Sequence, residues 1–169
     1  MTQRQNALPK IVLLGIGNIL LGDEGVGVHV IKELERSFSF PSNVELIDGG
    51  TAGFDLLPVI ESADHLIVID CVHSNCEPGT IFRIIPEVGA PTIFQEISLH
   101  QISLIQILTL AKFNQKCPQT VIFGIQSAEE EININLSSTI ESNLKKIINL
   151  ILDELSNLGI IHLISAERS

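Results

Sequence analysis

Glu24, Asp70 and His100 are the side chains of this sequence whose types could do chemistry together. Glu24 lies in "GIGNILLGDEGVGVHV", Asp70 in "LIVIDCVH" and His100 in "EISLHQ", each at the margin of an apolar run. Two carboxylates roughly 5 Å apart repel by about 3 kcal/mol at an effective dielectric of about 20. In one pocket, Glu24 and Asp70 would hold a proton between them unless a cation intervened. Adding the His100 imidazole makes two oxygens and one nitrogen. That set suits a borderline divalent ion (zinc, nickel, manganese or iron) with positions left open for water or substrate. A closed structural site normally has four ligands, and no convincing fourth presents itself. The implied chemistry is hydrolysis, by a carboxylate-activated or a metal-activated water.

Other polar residues gather at similar junctions. Asp23 precedes Glu24, Asp48 ends the second apolar run in "DGGTAG", and Gln126 follows the last one in "FGIQS". An Asp between a strand and a helix is usually an N-cap, and a lone His is usually structural. The convergence of five segments on one end of a sheet is what favours a site. His73, three residues after Asp70, reads as a solvated loop residue, with a fourth ligand as the alternative. Cys71 as a nucleophile would need a base and an exposed thiolate, and the neighbouring Asp70 raises its pKa instead. Ser98 and His100 are two apart and would not face each other on a helix. Glu129, Glu130 and Glu131 read as a solvated loop.

Gly15 and Gly17 open the first turn like a dinucleotide-binding loop, but the third glycine of that pattern is replaced by Leu20. Asp23 and Glu24 would also face a pyrophosphate at the helix start, where it needs positive potential. A dinucleotide is therefore set aside. The glycine turn is read instead as letting backbone approach a bound group that the acids require to be cationic.

The elements that must position these residues follow from periodicity. Apolar runs at 10–15, 44–47, 65–71, 80–85 and 120–125 predict five strands bounded by turn residues. Val26, Val30 and Leu34 recur at helical spacing, residues 99–112 are apolar nearly all round, and Ile140, Leu144, Ile147, Ile148, Ile151, Leu155 and Leu158 form one stripe. Ser137 or Ser138 can cap that last helix, and Gly159 suits its end. The order β-α-β-α-β-β-α-β-α predicts an α/β three-layer sandwich, a mostly parallel twisted five-stranded sheet with helices on both faces. Only "HSNCEPG" separates the third and fourth strands, too short for a parallel crossover, so that pair is expected to be antiparallel or at an edge.

Composition agrees. A 45% apolar content and a mean hydropathy of +0.37 suit strands covered on both faces, and the run at 11–21 is too short and interrupted to cross a membrane. A net charge of −10 argues against nucleic acid. Three cysteines without C-x-x-C spacing argue against a disulfide framework and a thiolate zinc site, and point to a reduced compartment. With no repeats, linkers or signal-peptide pattern, one domain over 1–169, monomeric and cytoplasmic, is expected.

The segments "GIGNILLGDEGVGVHV", "DGGTAGFDLL", "LIVIDCV", "SLHQISL" and "FGIQ", in this order and spacing, resemble those of the nickel–iron hydrogenase maturation endopeptidases. The resemblance covers about residues 10–126. It implies an α/β sandwich that removes a short C-terminal extension from the hydrogenase large-subunit precursor after nickel insertion. It places the family's metal-binding residues on Glu24, Asp70 and His100. The stretch linked with substrate recognition falls on Asp48, Gly49, Gly50 and Thr51. Nickel then resides in the precursor and is read by the three ligands, whether or not the protease carries a metal of its own. Two rivals differ in kind. A peptidyl-tRNA hydrolase would share the glycine turn but should be basic, and lacks "ILLGDEG". A non-catalytic module could use the same three ligands only to sense metal on a client protein.

Overall fold

The computed structural model describes residues 8–88, 99–129 and 131–164, and of residues 99–103 the backbone alone. Strand β1 (Ile11–Ile16) leads through a 3-10 turn (Gly22–Gly25) into α1 (Val26–Ser37). A short β2 (Phe38–Ser39), β3 (Val44–Gly50), a second 3-10 turn (Gly53–Leu56) and α2 (Leu57–Ser62) follow. Then come β4 (His65–Val72), β5 (Ile81–Ile84), α3 (Leu99–Phe113), β6 (Gln119–Gln126), α4 (Ser138–Asn157) and a short β7 (Leu163–Ile164).

The main sheet has the order β3-β1-β4-β6-β5. The first four strands are parallel, and β5 runs antiparallel to β6 at the edge. The short connection after β4 thus has the consequence expected from its length. Alternation along β1 explains the layers. Ile11 and Leu13 face a core completed by α1 and α4, whereas Val12, Leu14 and Ile16 face a second core completed by α2 and α3. All five are buried, as a parallel strand covered on both faces requires. In α4, Ser137 accepts a hydrogen bond from the Ile140 amide at 3.3 Å, closing the N-terminus as a serine cap does. The antiparallel β2–β7 pair was not anticipated, because two residues carry no periodicity. Among the described residues no helix is long and apolar enough to cross a membrane.

The chain passes from β1 to β3 on one side, then returns past β1 to β4 on the other. The carboxyl ends of β1 and β4 therefore flank the point where strand order reverses, the usual crevice of such sheets. Two glycines explain how the helix after β1 reaches that crevice. A Cβ on Gly27 would lie 2.2 Å from the Ile69 carbonyl oxygen and 2.4 Å from that of Ile16. Gly17 has φ +136°, and a Cβ there would lie 1.8 Å from the Glu24 carbonyl oxygen. What the glycines admit is the protein's own backbone. The close approach expected for a bound group is used to seat the Glu24 turn and α1.

Candidate active site

Asp23 and Glu24 share the same 3-10 turn but have different environments. Asp23 is 1% exposed. Its carboxylate accepts from the amides of Ala128 (2.9 Å), Glu129 (3.1 Å) and Ser137 (2.8 Å), and from Ser137 Oγ (2.9 Å). It ties the β6–α4 connection to the first turn and is not presented to a ligand. Glu24 is the acid that faces the crevice. Its Oε1 lies 3.0 Å from His73 Nε2.

Asp70 is also 1% exposed. It does not end its strand. Pairing with β6 continues through Cys71↔Ile125 and Val72↔Gln126, so β4 runs two residues past Asp70 and one past the apolar run at 65–71. Asp70 Oδ1 accepts from the Cys71 amide at 2.8 Å, while Oδ2 is buried with no hydrogen-bond partner. Burial pushes the Asp70 carboxyl up to about 7, the Cys71 amide opposes this, and the Glu24 charge adds to it. Burial thus favours the protonated form of Asp70 up to about neutrality. The Cys71 thiol is pushed up by burial and then by Asp70, Glu24 and Asp23, which leaves it an inert thiol.

His73 differs from the expected solvated residue. Its side chain is 28% exposed, and its Nδ1 lies 3.1 Å from Ser127 Oγ. Gln126 Oε1 accepts from the Ser74 amide (2.8 Å) and hydroxyl (2.6 Å), pinning the loop after β4 to the end of β6. Ser127 and the His73 contact were missed in the sequence, although "FGIQS" places Ser127 beside the singled-out Gln126.

His100 is the second residue of α3, but its side chain lies outside the described residues, as does Ser98. Among the described residues no three His, Cys, Asp or Glu side chains are close enough to hold a metal ion. The structure thus brings Glu24, Asp70 and His73 to one end of the sheet without joining them into a cage. The unbonded buried oxygen of Asp70 beside Glu24 is nonetheless the kind of donor pair a divalent ion fits, with a third ligand to come from elsewhere.

Asp48 lies inside β3, which runs on to Gly50. Its Oδ1 accepts from the Gly50 amide at 3.1 Å, and Oδ2 lies 3.8 Å from Lys32 Nζ. Gly49 is buried and Thr51 exposed. Gly50 and Thr51 help line a small cleft of about 60 Å³ that also touches Ile16 and, on α3, Leu104 and Ile107.

The family model for hydrogenase maturation proteases matches residues 28–154. This chain belongs to the hydrogenase maturation protease family. It is 35% identical over 154 residues to the hydrogenase 2 maturation protease of Escherichia coli, covering 89% of this chain and 93% of that one. The hydrogenase expression/formation protein HoxM of Azotobacter vinelandii is 34% identical, covering 90% of this chain and 75% of its own length. The solved structure of the hydrogenase maturating endopeptidase HybD from E. coli superposes with a TM-score of 0.85 at 34% identity, over 92% of this chain and 97% of that one. A maturation peptidase structure from a Thaumarchaeota archaeon reaches 0.67 at 27% identity, over 86% of this chain and 97% of that one. For this maturation protease the reaction class is accordingly that of a peptidase, carried on a five-stranded α/β scaffold.

Proposed function

We propose that this protease is an endopeptidase that removes the C-terminal extension of a nickel–iron hydrogenase large-subunit precursor after nickel insertion. One observation carries the reading: Asp70, buried at the switch point with an unbonded oxygen, beside the charge of Glu24. A buried unpaired carboxyl is costly to a fold and is tolerated where it serves a reaction. Glu24, Asp70 and His100 grip the nickel that the precursor brings as part of the substrate. Asp48, Gly49, Gly50 and Thr51 receive the peptide, a role supported by the cleft that Gly50 and Thr51 line. In the hydrolytic step, the Glu24 carboxylate takes a proton from water as its oxygen attacks the scissile carbonyl. The proton taken up by Glu24 passes to the leaving amine, so the peptide C–N bond breaks with charges balanced. The test is to incubate the purified protein with nickel-loaded and nickel-free precursor and measure intact masses. Loss of a C-terminal fragment from the loaded form alone is expected. Unchanged mass of both forms would sink the reading and favour a non-catalytic metal sensor.

A further inference from the structure

His73 is tied into a hydrogen-bond chain that the reaction as described above does not use. Ser127 Oγ lies 3.1 Å from His73 Nδ1, and His73 Nε2 lies 3.0 Å from Glu24 Oε1. An ionised carboxylate can only accept, so Nε2 is the donor in this contact. In a neutral ring Nδ1 is then the acceptor, and the Ser127 hydroxyl donates to it. Both bonds run the same way, from Ser127 through His73 to Glu24, an alignment in which successive bonds polarise one another. Ser127 is 7% exposed, so its hydroxyl is an anchor for the ring and not a nucleophile open to a peptide. The ring has little freedom to move away. The next residue, Ser74, is held through amide and hydroxyl by Gln126, at the end of the strand that leads into Ser127.

We propose that His73, anchored by Ser127, is a positioning residue that holds the Glu24 carboxylate in a single orientation toward the substrate. Glu24 sits on a one-turn 3-10 segment, and a Glu side chain loses considerable rotamer freedom when fixed. A second hydrogen-bonded group supplied from the β4 loop restricts that freedom before the substrate arrives, as outer-shell partners do for ligating side chains. The inference rests on the reading of Glu24 as the water-activating base, and its test separates the two.

Steady-state cleavage of nickel-loaded precursor is compared for the parent, His73→Ala and His73→Gln, whose side-chain amide can replace the Nε2 donor. His73→Ala is expected to lower kcat by about 10- to 100-fold with KM nearly unchanged, and His73→Gln to recover most of the loss. In parallel, ¹⁵N-histidine NMR of the parent at pH 8 is expected to show His73 protonated on Nε2 and bare on Nδ1, with Ser127→Ala removing that preference. Full activity of His73→Ala, or equal and unrescued losses in both variants, would overturn the positioning role. A parent that fails to cleave refutes the proposed function instead. In that event the NMR still decides the geometry, because a proton on Nδ1 in place of Nε2 would overturn the hydrogen-bond chain by itself.

Discussion

The two ends of the central sheet treat their acids in opposite ways. At the amino end, Lys10 Nζ lies 2.7 Å from Glu45, the Lys10 amide donates to Asp64 at 2.8 Å, and Arg83 meets Glu154 at 2.8 Å. These groups are paired and at least partly in water. At the carboxyl end Asp23 and Asp70 are buried, and hydrogen bonds stand in for cations. The amino end also has the roomier groove, about 380 Å³ against about 60 Å³. Volume alone points to the amino end, and the proposed site lies at the other. What distinguishes a reactive site is charge held out of water without full compensation, because folding alone gives no reason to keep it.

The sharpest way to break this contrast is to remove one acid at each end. Glu24→Gln and Asp70→Asn are expected to lower precursor cleavage by about 10²- to 10⁴-fold, while Glu154→Gln leaves it within about twofold. Comparable losses at both ends, measured as initial rates, would erase the distinction.

The next effect is on stability and has a definite sign. The Asp70 pKa is raised in the fold from 3.8 to about 7. Its contribution is fully present below pH 3.8 and is lost as pH rises through about 7, when the folded carboxyl must ionise in place. The loss is on the order of 4 kcal/mol. The metal-free Asp70→Asn protein lacks this dependence. It should gain stability relative to the parent between pH 4 and pH 8 in denaturant melts, and a parent–variant difference that stays flat with pH would refute the burial argument.

Asp23 should behave as the structural member of the pair. Asp23→Ala leaves three amides and a hydroxyl without their acceptor, so chemical denaturation should show a loss of about 3 kcal/mol. A loss under about 1 kcal/mol would mean that the clamp is ornamental. The smallest effect belongs to the amino end. Arg83→Ala removes an ion pair between a half-exposed arginine and the more buried Glu154 and should cost about 1 kcal/mol, read in the same titration.

These contrasts also show why some features were legible in the sequence and others were not. The parallel sheet and its two covering layers followed from β1, β4 and β6, whose apolar runs have no other stable disposition than burial on both faces, whereas the strand order β3-β1-β4-β6-β5 did not. The end of β4 was legible to within one residue, since the run at 65–71 stops just short of Val72, whose pairing with Gln126 closes the strand. Glu24 and Asp70 announced themselves as acids beside apolar runs. Which of Asp23 and Glu24 faces inward could not be read locally, since the deciding donors lie 105 to 114 residues later. His73 looked solvated for the same reason: its partners are 49 and 54 positions away. A side chain's neighbours are set by topology, and one-dimensional spacing reports them only when they share an element.

The Asp23 clamp has a consequence for biosynthesis. The donors that satisfy this buried carboxylate lie at residues 128, 129 and 137, in the last third of the chain. A ribosome that has released only the segment through β5 has already made Glu24 and Asp70, but not the groups that seat the turn carrying Glu24. Domains acquire their long-range contacts only after the distant partner has emerged. The turn that carries Glu24 is therefore seated last although it is synthesised early, and a chain interrupted before Ser137 carries both acids without the clamp on that turn.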